Sequence, residues 1–201
     1  MKNIAVFASG NGTNLQAIID NIASGALKAR LALVVSDKSS AFALKRAKKA
    51  GIKTLFVDPK KFDSKQAYEK FIIDHLKKNN VDLIVLAGFM RILSPFFIKK
   101  YRYKILNIHP ALLPAFKGGC AIKDAFNYGA KVTGVTVHFV DEKVDHGPII
   151  LQEAVEMRDR ESLYDLERRI HQVEHRVYTE ALIKVLQEAL VIRNRKVHAR
   201  S

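Results

Sequence analysis

Apolar residues in this chain alternate between two patterns. Short, mostly apolar runs bounded by turn residues lie at Ile4 to Ala8, Leu31 to Val35, Thr54 to Val57, Leu83 to Ala87 and Lys104 to Ile108, and each predicts a buried strand. Between them apolar positions recur at helical spacing. Leu15, Ile18, Ile19 and Ile22 form one face, Phe42 to Ala50 is a helix closed by Gly51, and Tyr68, Phe71, Ile72 and Leu76 follow an Asp63/Gln66 pair that reads as a capping box. Ser94 and Pro95 read as the N-cap and first residue of a short helix. Strands alternating with helices predict an α/β, doubly wound, mostly parallel sheet covered on both faces. The pattern then changes. After a helix over Ala121 to Tyr128, stopped by Gly129, the runs Val132 to Val140 and Ile149 to Val155 are joined only by a turn-rich link and predict an antiparallel extension. Ser162 and Asp165 open a long C-terminal helix carrying Leu163, Leu166, Ile170, Val173, Val177, Leu182 and Leu186. The basic tail, Arg193 to Ser201, reads either as a strand or as a frayed end.

No repeat or linker interrupts the 201 residues, which predicts a single domain over 1–201. Apolar content of 48% and charged content of 27% belong to soluble globular proteins. The run Ile4 to Ala8 is broken by Ser9-Gly10 before a signal-peptide core or membrane span could form, so a cytoplasmic protein is expected. Cys120 is the only cysteine, which excludes an intrachain disulfide and a thiolate-rich metal site. The formal charge of +14 raises the question of nucleic acid. Lysines and arginines run along the whole chain without an aromatic-interleaved basic motif, however, so a solvated surface is the preferred reading. Its field would also draw in small anionic substrates.

Several segments carry candidate chemistry. Asn107 and His109 are two apart at the end of a strand stopped by Pro110 and Pro114, so they face the same way where open parallel sheets hold ligands. The pair reads as a catalytic centre or as a polar strand end satisfying local backbone groups. Ser9-Gly10-Asn11-Gly12-Thr13-Asn14 lies between the first strand and its helix, where glycines let backbone N–H groups turn toward an anion such as phosphate. The dinucleotide fingerprint would need glycine where Leu15 stands, and a tight turn is the plain alternative. His171-Gln172-Val173-Glu174-His175 matches the His-x-x-Glu-His zinc pattern. A further ligand is needed, and the downstream carboxylates Glu180 and Glu188 fall on the same helix, so a polar patch lining another site is preferred. In the link Asp141, Asp145, His146, Gly147 and Pro148, a carboxylate either reaches toward His109 or serves an ordinary turn. His138 reads as a satisfied structural histidine, and Cys120 as a small filler.

Taken together, Gly10-Asn11-Gly12-Thr13-Asn14, Leu86 to Ser94 (LAGFMRILS), Asn107-Ile108-His109-Pro110 and Val144-Asp145-His146-Gly147-Pro148 resemble the phosphoribosylglycinamide formyltransferases, the folate-dependent transformylases of purine biosynthesis. The resemblance runs from about Lys2 through the long helix. It implies a Rossmann-like formyltransferase fold and transfer of the formyl group of 10-formyltetrahydrofolate to the amine of glycinamide ribonucleotide. It implies that Gly12, Thr13 and Asn14 hold the substrate phosphate, and that His171, Gln172, Val173 and Glu174 contact substrate, Glu174 at the ribose hydroxyls. Lys65, Met90, Arg91, Ile92, Leu93, Asn107, Asp141, Glu142, Lys143, Val144 and Asp145 match folate-binding positions. Asn107 and His109 would donate to the oxyanion, with His109 the catalytic acid and Asp145 the carboxylate that serves it. The resemblance further implies a mainly phosphate-binding half over 1–100, a catalytic and folate-binding half over 101–190, no metal, and a monomer or homodimer acting without nucleic acid or membrane. Two positions depart from the family pattern, Ala111 where serine is usual and Ile122 where many members have histidine. Formyltetrahydrofolate hydrolase and methionyl-tRNA formyltransferase share Asn-x-His and the downstream Asp. Each normally carries another domain, and neither needs the phosphate loop.

Overall fold

The computed structural model describes residues 1–187 and 190–199. They divide into two compact units, Met1–Leu106 and Asn107–Ser201. The first is built from β1 (Lys2–Phe7), α1 (Thr13–Ala23), β2 (Ala29–Ser36), α2 (Phe42–Lys49), β3 (Thr54–Phe56), α3 (Lys65–Lys78), β4 (Leu83–Leu86) and α4 (Pro95–Lys100), and it ends as β5 (Ile105–His109) begins. β1 pairs in parallel with β2 and β4, and β2 with β3. Ile4 to Ala8 has no exposed surface at all, as expected of a continuous apolar run in the middle of a parallel sheet.

Within the second unit the chain completes β5 and forms α5 (Ala121–Tyr128), β6 (Val132–Phe139), β7 (Ile149–Glu156) and α6 (Leu163–Gln187). β6 and β7 are antiparallel, with a register shift between Val137 and His138. The strand order β3-β2-β1-β4-β5-β6-β7 makes the sheet mostly parallel with an antiparallel edge, the architecture that the strand–helix alternation predicts.

Local chemistry explains the boundaries. Gly51 and Gly129 take left-handed conformations where α2 and α5 stop, as helix-terminating glycines do. α3 is capped by Ser64, whose Oγ accepts the Ala67 N–H at 3.1 Å, and not by the Asp63/Gln66 box expected from the sequence. The helix begins one residue later, and serine suits the extended N-cap backbone as well as aspartate does. Ser94 caps α4 and Ser162 caps α6 as predicted. Arg193 to Ala199 is no frayed end: β8 (Leu190–Arg193) and β9 (Lys196–Ala199) form a hairpin whose turn residues, Asn194 and Arg195, both have positive φ. Glu188, Arg200 and Ser201 lie outside the described residues.

The charge is divided unevenly. Met1–Leu106 holds 20 of the 34 basic residues but only seven of the 20 acidic ones, so nearly all of the net +14 belongs to the first unit. Basic residues do run along the whole chain; it is the carboxylates that are concentrated in the second unit. No helix among the described residues is long and apolar enough to cross a membrane.

Candidate active site

In the first unit, Gly12 takes φ +68° and ends the loop that leads into α1. A Cβ at Gly12 would lie 2.8 Å from the Ala43 Cβ, so glycine is required by both backbone and space. The loop is braced from α2: Ala43 N–H donates to the Gly10 carbonyl at 3.1 Å, and Arg46 Nε–H to the Asn11 carbonyl at 2.9 Å. No side chain caps the N-terminus of α1, and no acidic residue stands in its first turn. The opening N–H groups at Thr13 and Asn14 therefore sit in the positive end of a helix dipole with no acidic residue of the first turn beside them. Lys65 is exposed at the start of α3. Met90 and Ile92 are 67% and 65% exposed, while Leu93 is buried and Arg91 lies over the Tyr68 ring.

In the second unit, β5 and the β6–β7 link converge on Asp145. Its Oδ1 accepts from the Asn107 amide at 3.5 Å, its Oδ2 lies 3.5 Å from His109 Nδ1, and the same Oδ2 accepts the Gly118 N–H at 2.8 Å. Asn107 and His109 thus face the same way, and the Asp145 carboxylate reaches both, at φ +45° in the link. The segment after His109 is fixed by Thr136, whose hydroxyl donates to the Ala111 carbonyl and accepts from Leu113 N–H and Gln152 Nε2–H. Ala111 is completely buried and held through its main chain, so a serine hydroxyl is not needed to anchor it. Ile122 packs its apolar side chain into the buried face of α5.

Two features complete this cluster beyond the residues that the sequence assigns to the site. The first is the Phe116 carbonyl, which accepts from His109 Nε2–H at 2.8 Å, with Phe116 at φ +46°. With Nδ1 facing Asp145, both nitrogens of His109 are engaged, and Asn107 directs its amide hydrogens at His138 and Asp145. Neither residue therefore presents an idle donor. A main-chain carbonyl carries no mark in the sequence; only the adjacent Gly118-Gly119 hints at a specialised loop.

The second is His138. It is a satisfied buried histidine, as expected, with 2% exposure and Nδ1–H donating to the Phe139 carbonyl at 2.8 Å. That bond leaves Nε2 as an acceptor, 3.3 Å from the Asn107 amide nitrogen and 3.8 Å from Asp145 Oδ1. His138 therefore belongs to the cluster and orients Asn107. Burial pushes its pKa down, opposed by the Phe139 carbonyl and the Asp145 charge. Because the folded value lies below the unfolded one of about 6.5, the unfolded chain takes up the proton first. The contribution of His138 is complete above about pH 6.5 and is lost as pH falls through the folded value. Denaturant unfolding measured across this range should show stability falling with acidity, and a shallower fall in His138→Gln. An unchanged pH slope in the variant would assign the effect to other groups.

On α6, His171 Nδ1 lies 2.8 Å from Glu174 Oε2, and this bond raises the His171 pKa. Glu174 is buried, Val173 half-buried and Gln172 exposed. Burial lowers the pKa of His175. Among the described residues no group of three or more His, Cys, Asp or Glu side chains could hold a metal ion. In the β6–β7 link, Asp141 Oδ2 lies 2.7 Å from His146 Nδ1 and its Oδ1 accepts the Lys143 N–H, leaving Glu142, Lys143 and Val144 exposed.

The formyl transferase family profile matches residues 2–182. Phosphoribosylglycinamide formyltransferase of Bacillus subtilis (strain 168) is 44% identical over 186 residues, covering 92% of this chain and 95% of the relative. The trifunctional purine biosynthetic protein adenosine-3 of Gallus gallus is 44% identical over 94% of this chain but only 19% of its own length. Among solved structures, glycinamide ribonucleotide transformylase 1 from Symbiobacterium toebii superposes with a TM-score of 0.95 at 44% identity, over 100% of this chain and 95% of that one. Phosphoribosylglycinamide formyltransferase from Bacillus halodurans does so with a TM-score of 0.90 at 46% identity, over 94% and 97%. With the profile match running through nearly the whole chain and this identity over almost the full length of a single-function relative, the chain belongs to the formyl transferase family, among its phosphoribosylglycinamide formyltransferases.

Proposed function

We propose that the chain transfers the formyl group of 10-formyltetrahydrofolate to the amine of glycinamide ribonucleotide, and that Asn107, His109 and Asp145 carry the reaction. The observation that carries this reading is the convergence of an amide donor and an imidazole on one carboxylate, Asp145. The co-substrate supplies an activated formyl carbon, and the ribonucleotide supplies the attacking amine. As the amine adds, negative charge develops on the formyl oxygen, and donors aimed at such charge are commonly worth about a hundred- to a thousand-fold. The Asn107 amide can supply one, because its 3.5 Å contact with Asp145 is at the outer limit of a hydrogen bond and yields readily to a stronger acceptor. His109 can supply the other once the loop carrying Phe116 releases its Nε2–H. Asp145, held by the Gly118 N–H and facing Nδ1, takes part in passing the amine's proton to the folate nitrogen. The tetrahedral intermediate then collapses, the bond between that nitrogen and the formyl carbon breaks, and tetrahydrofolate leaves.

The uncapped, acid-free start of α1 suits the ribonucleotide phosphate at Gly12, Thr13 and Asn14. The His171–Glu174 pair suits ribose hydroxyls, since a buried carboxylate is a strong acceptor. In the first unit, the exposed apolar Met90 and Ile92, with Lys65, suit a heteroaromatic co-substrate with an anionic tail; in the second, the polar link from Asp141 to Asp145 suits the polar atoms of such a co-substrate. The positive charge of the first unit favours capture of two anionic ligands. This reading makes the chain a cytoplasmic enzyme of small-molecule substrates, monomeric or homodimeric, needing neither metal, nucleic acid nor membrane, with the two compact units as halves of one functional domain.

The test follows the loss of 10-formyltetrahydrofolate with and without glycinamide ribonucleotide. Formylated ribonucleotide should form, and deformylation without the acceptor should be negligible. Equal deformylation without it would make the chain a hydrolase.

A further inference from the structure

The proposed reaction leaves unexplained a group of buried polar contacts in the first unit. Ser9, 3% exposed at the end of β1, uses both its main-chain N–H and its hydroxyl on segments that follow two other strands. Its N–H donates to the Gly88 carbonyl at 3.0 Å, its Oγ accepts the Met90 N–H at 3.0 Å, and the same hydroxyl donates to Asp37 Oδ1 at 2.6 Å. Asp37 stands just beyond β2, so the carboxyl ends of β1, β2 and β4 are joined through one hydroxyl. The short bond to a carboxylate fixes the hydroxyl hydrogen on Asp37 and thereby leaves an Oγ lone pair for Met90.

The other end of the same segment is tied as firmly. Glu69, 1% exposed on α3, accepts the Ser94 N–H at 2.7 Å and also contacts the Ser94 hydroxyl. Between these anchors the Arg91 guanidinium lies 5.4 Å over the ring of Tyr68, itself buried. Gly88 has φ +72°, a conformation that an unanchored chain would readily leave. The result is a short loop pinned at both ends, on which the exposed apolar side chains are Met90 and Ile92, flanking the exposed Arg91. Exposed apolar groups held rigidly, with no side-chain bonding of their own, bind a flat ligand without first having to be ordered.

We infer that Ser9, oriented by Asp37, is a positioning residue for the co-substrate: it fixes the main chain from Gly88 to Met90 so that Met90 and Ile92 form a preorganised platform for the folate ring system. This rests on the proposed formyl transfer, and it separates Ser9 from the phosphate loop that begins beside it. The Gly10 and Asn11 carbonyls are held by Ala43 and Arg46 without Ser9. Removing the hydroxyl should therefore loosen the co-substrate side and spare the ribonucleotide side.

Ser9→Ala should raise KM for 10-formyltetrahydrofolate by about five- to tenfold, the effect of one net hydrogen bond, with kcat and the KM for glycinamide ribonucleotide changed less than twofold. Asp37→Ala, at a half-exposed site that tolerates truncation, should give a smaller shift in the same direction. Ser9→Thr keeps the hydroxyl and should restore most of the loss. Amide hydrogen exchange gives a readout independent of activity: Met90 should lose protection in Ser9→Ala and regain it in Ser9→Thr. An active Ser9→Ala enzyme with an unmoved folate KM, or with both KM values raised alike, overturns the positioning role. A wild-type protein that transfers no formyl group overturns instead the reaction on which the role rests.

Discussion

Asp145→Asn is expected to lower kcat by about a hundred-fold or more, the range for removing a positioned acid–base partner, while both substrates still bind near their wild-type affinities. The backbone does not object, since Asp145 has φ +45° and asparagine tolerates that region better than most residues. The hydrogen-bond pattern does. Both carboxylate oxygens serve donors: Oδ1 takes the Asn107 amide and Oδ2 takes the Gly118 N–H while facing His109. An amide offers only one oxygen, so its NH2 must meet either the Asn107 donor or the Gly118 donor, and the pair held by Asp145 is separated. His109→Ala should cost a comparable factor. If the residues act as one unit, the double variant should lose far less than the product of the single losses. Measuring kcat for the two singles and the double, with folding verified by circular dichroism, decides it. Fully multiplicative losses would show that His109 and Asp145 act independently despite the 3.5 Å between them.

Those contacts also mark how far the sequence could be read. The strand–helix alternation predicts the sheet because a parallel strand buried on both faces must be continuously apolar, as Ile4 to Ala8 is. Asn107 and His109 are legible as a same-face pair because the period of a strand is two, and the converging Asp145 is legible as a carboxylate in a turn-rich link. Its conformation is not legible, since a positive φ at an aspartate is fixed by its surroundings. His138 was half legible: its alternation with Val137 and Phe139 indicates burial, but which way Nε2 points depends on the Phe139 carbonyl accepting from Nδ1. The Phe116 carbonyl and the Gly118 N–H were beyond reach, because main-chain groups are the same at every residue and only the fold selects which of them meets a side chain. The Ser64 cap displaced the expected Asp63 cap for a related reason. Both residues are good N-caps one position apart, and the packing of α3 sets the register.

The glycine loop offers the second large effect, and here space and conformation act together. Gly12→Val should weaken glycinamide ribonucleotide binding by at least about tenfold, the equivalent of one charge-assisted hydrogen bond, and leave 10-formyltetrahydrofolate binding nearly intact. Two strains cause it. At φ +68° a β-branched side chain is disfavoured, and the added Cβ would press on the Ala43 Cβ at 2.8 Å and its Cα at 2.9 Å. The loop can relieve that pressure only by moving away from α2, which breaks the Ala43 and Arg46 bonds to Gly10 and Asn11 and turns the first N–H groups of α1 out of line. Gly10 provides the control, because it lacks a positive φ and a Cβ there meets nothing within 4 Å. Gly10→Ala should therefore fold with unchanged thermal stability, whereas Gly12→Val should unfold at a lower temperature. Each ligand is titrated separately by calorimetry against both variants and the wild type. Equal loss of both affinities in Gly12→Val would mean general misfolding, and unchanged ribonucleotide affinity would remove the phosphate from the start of α1.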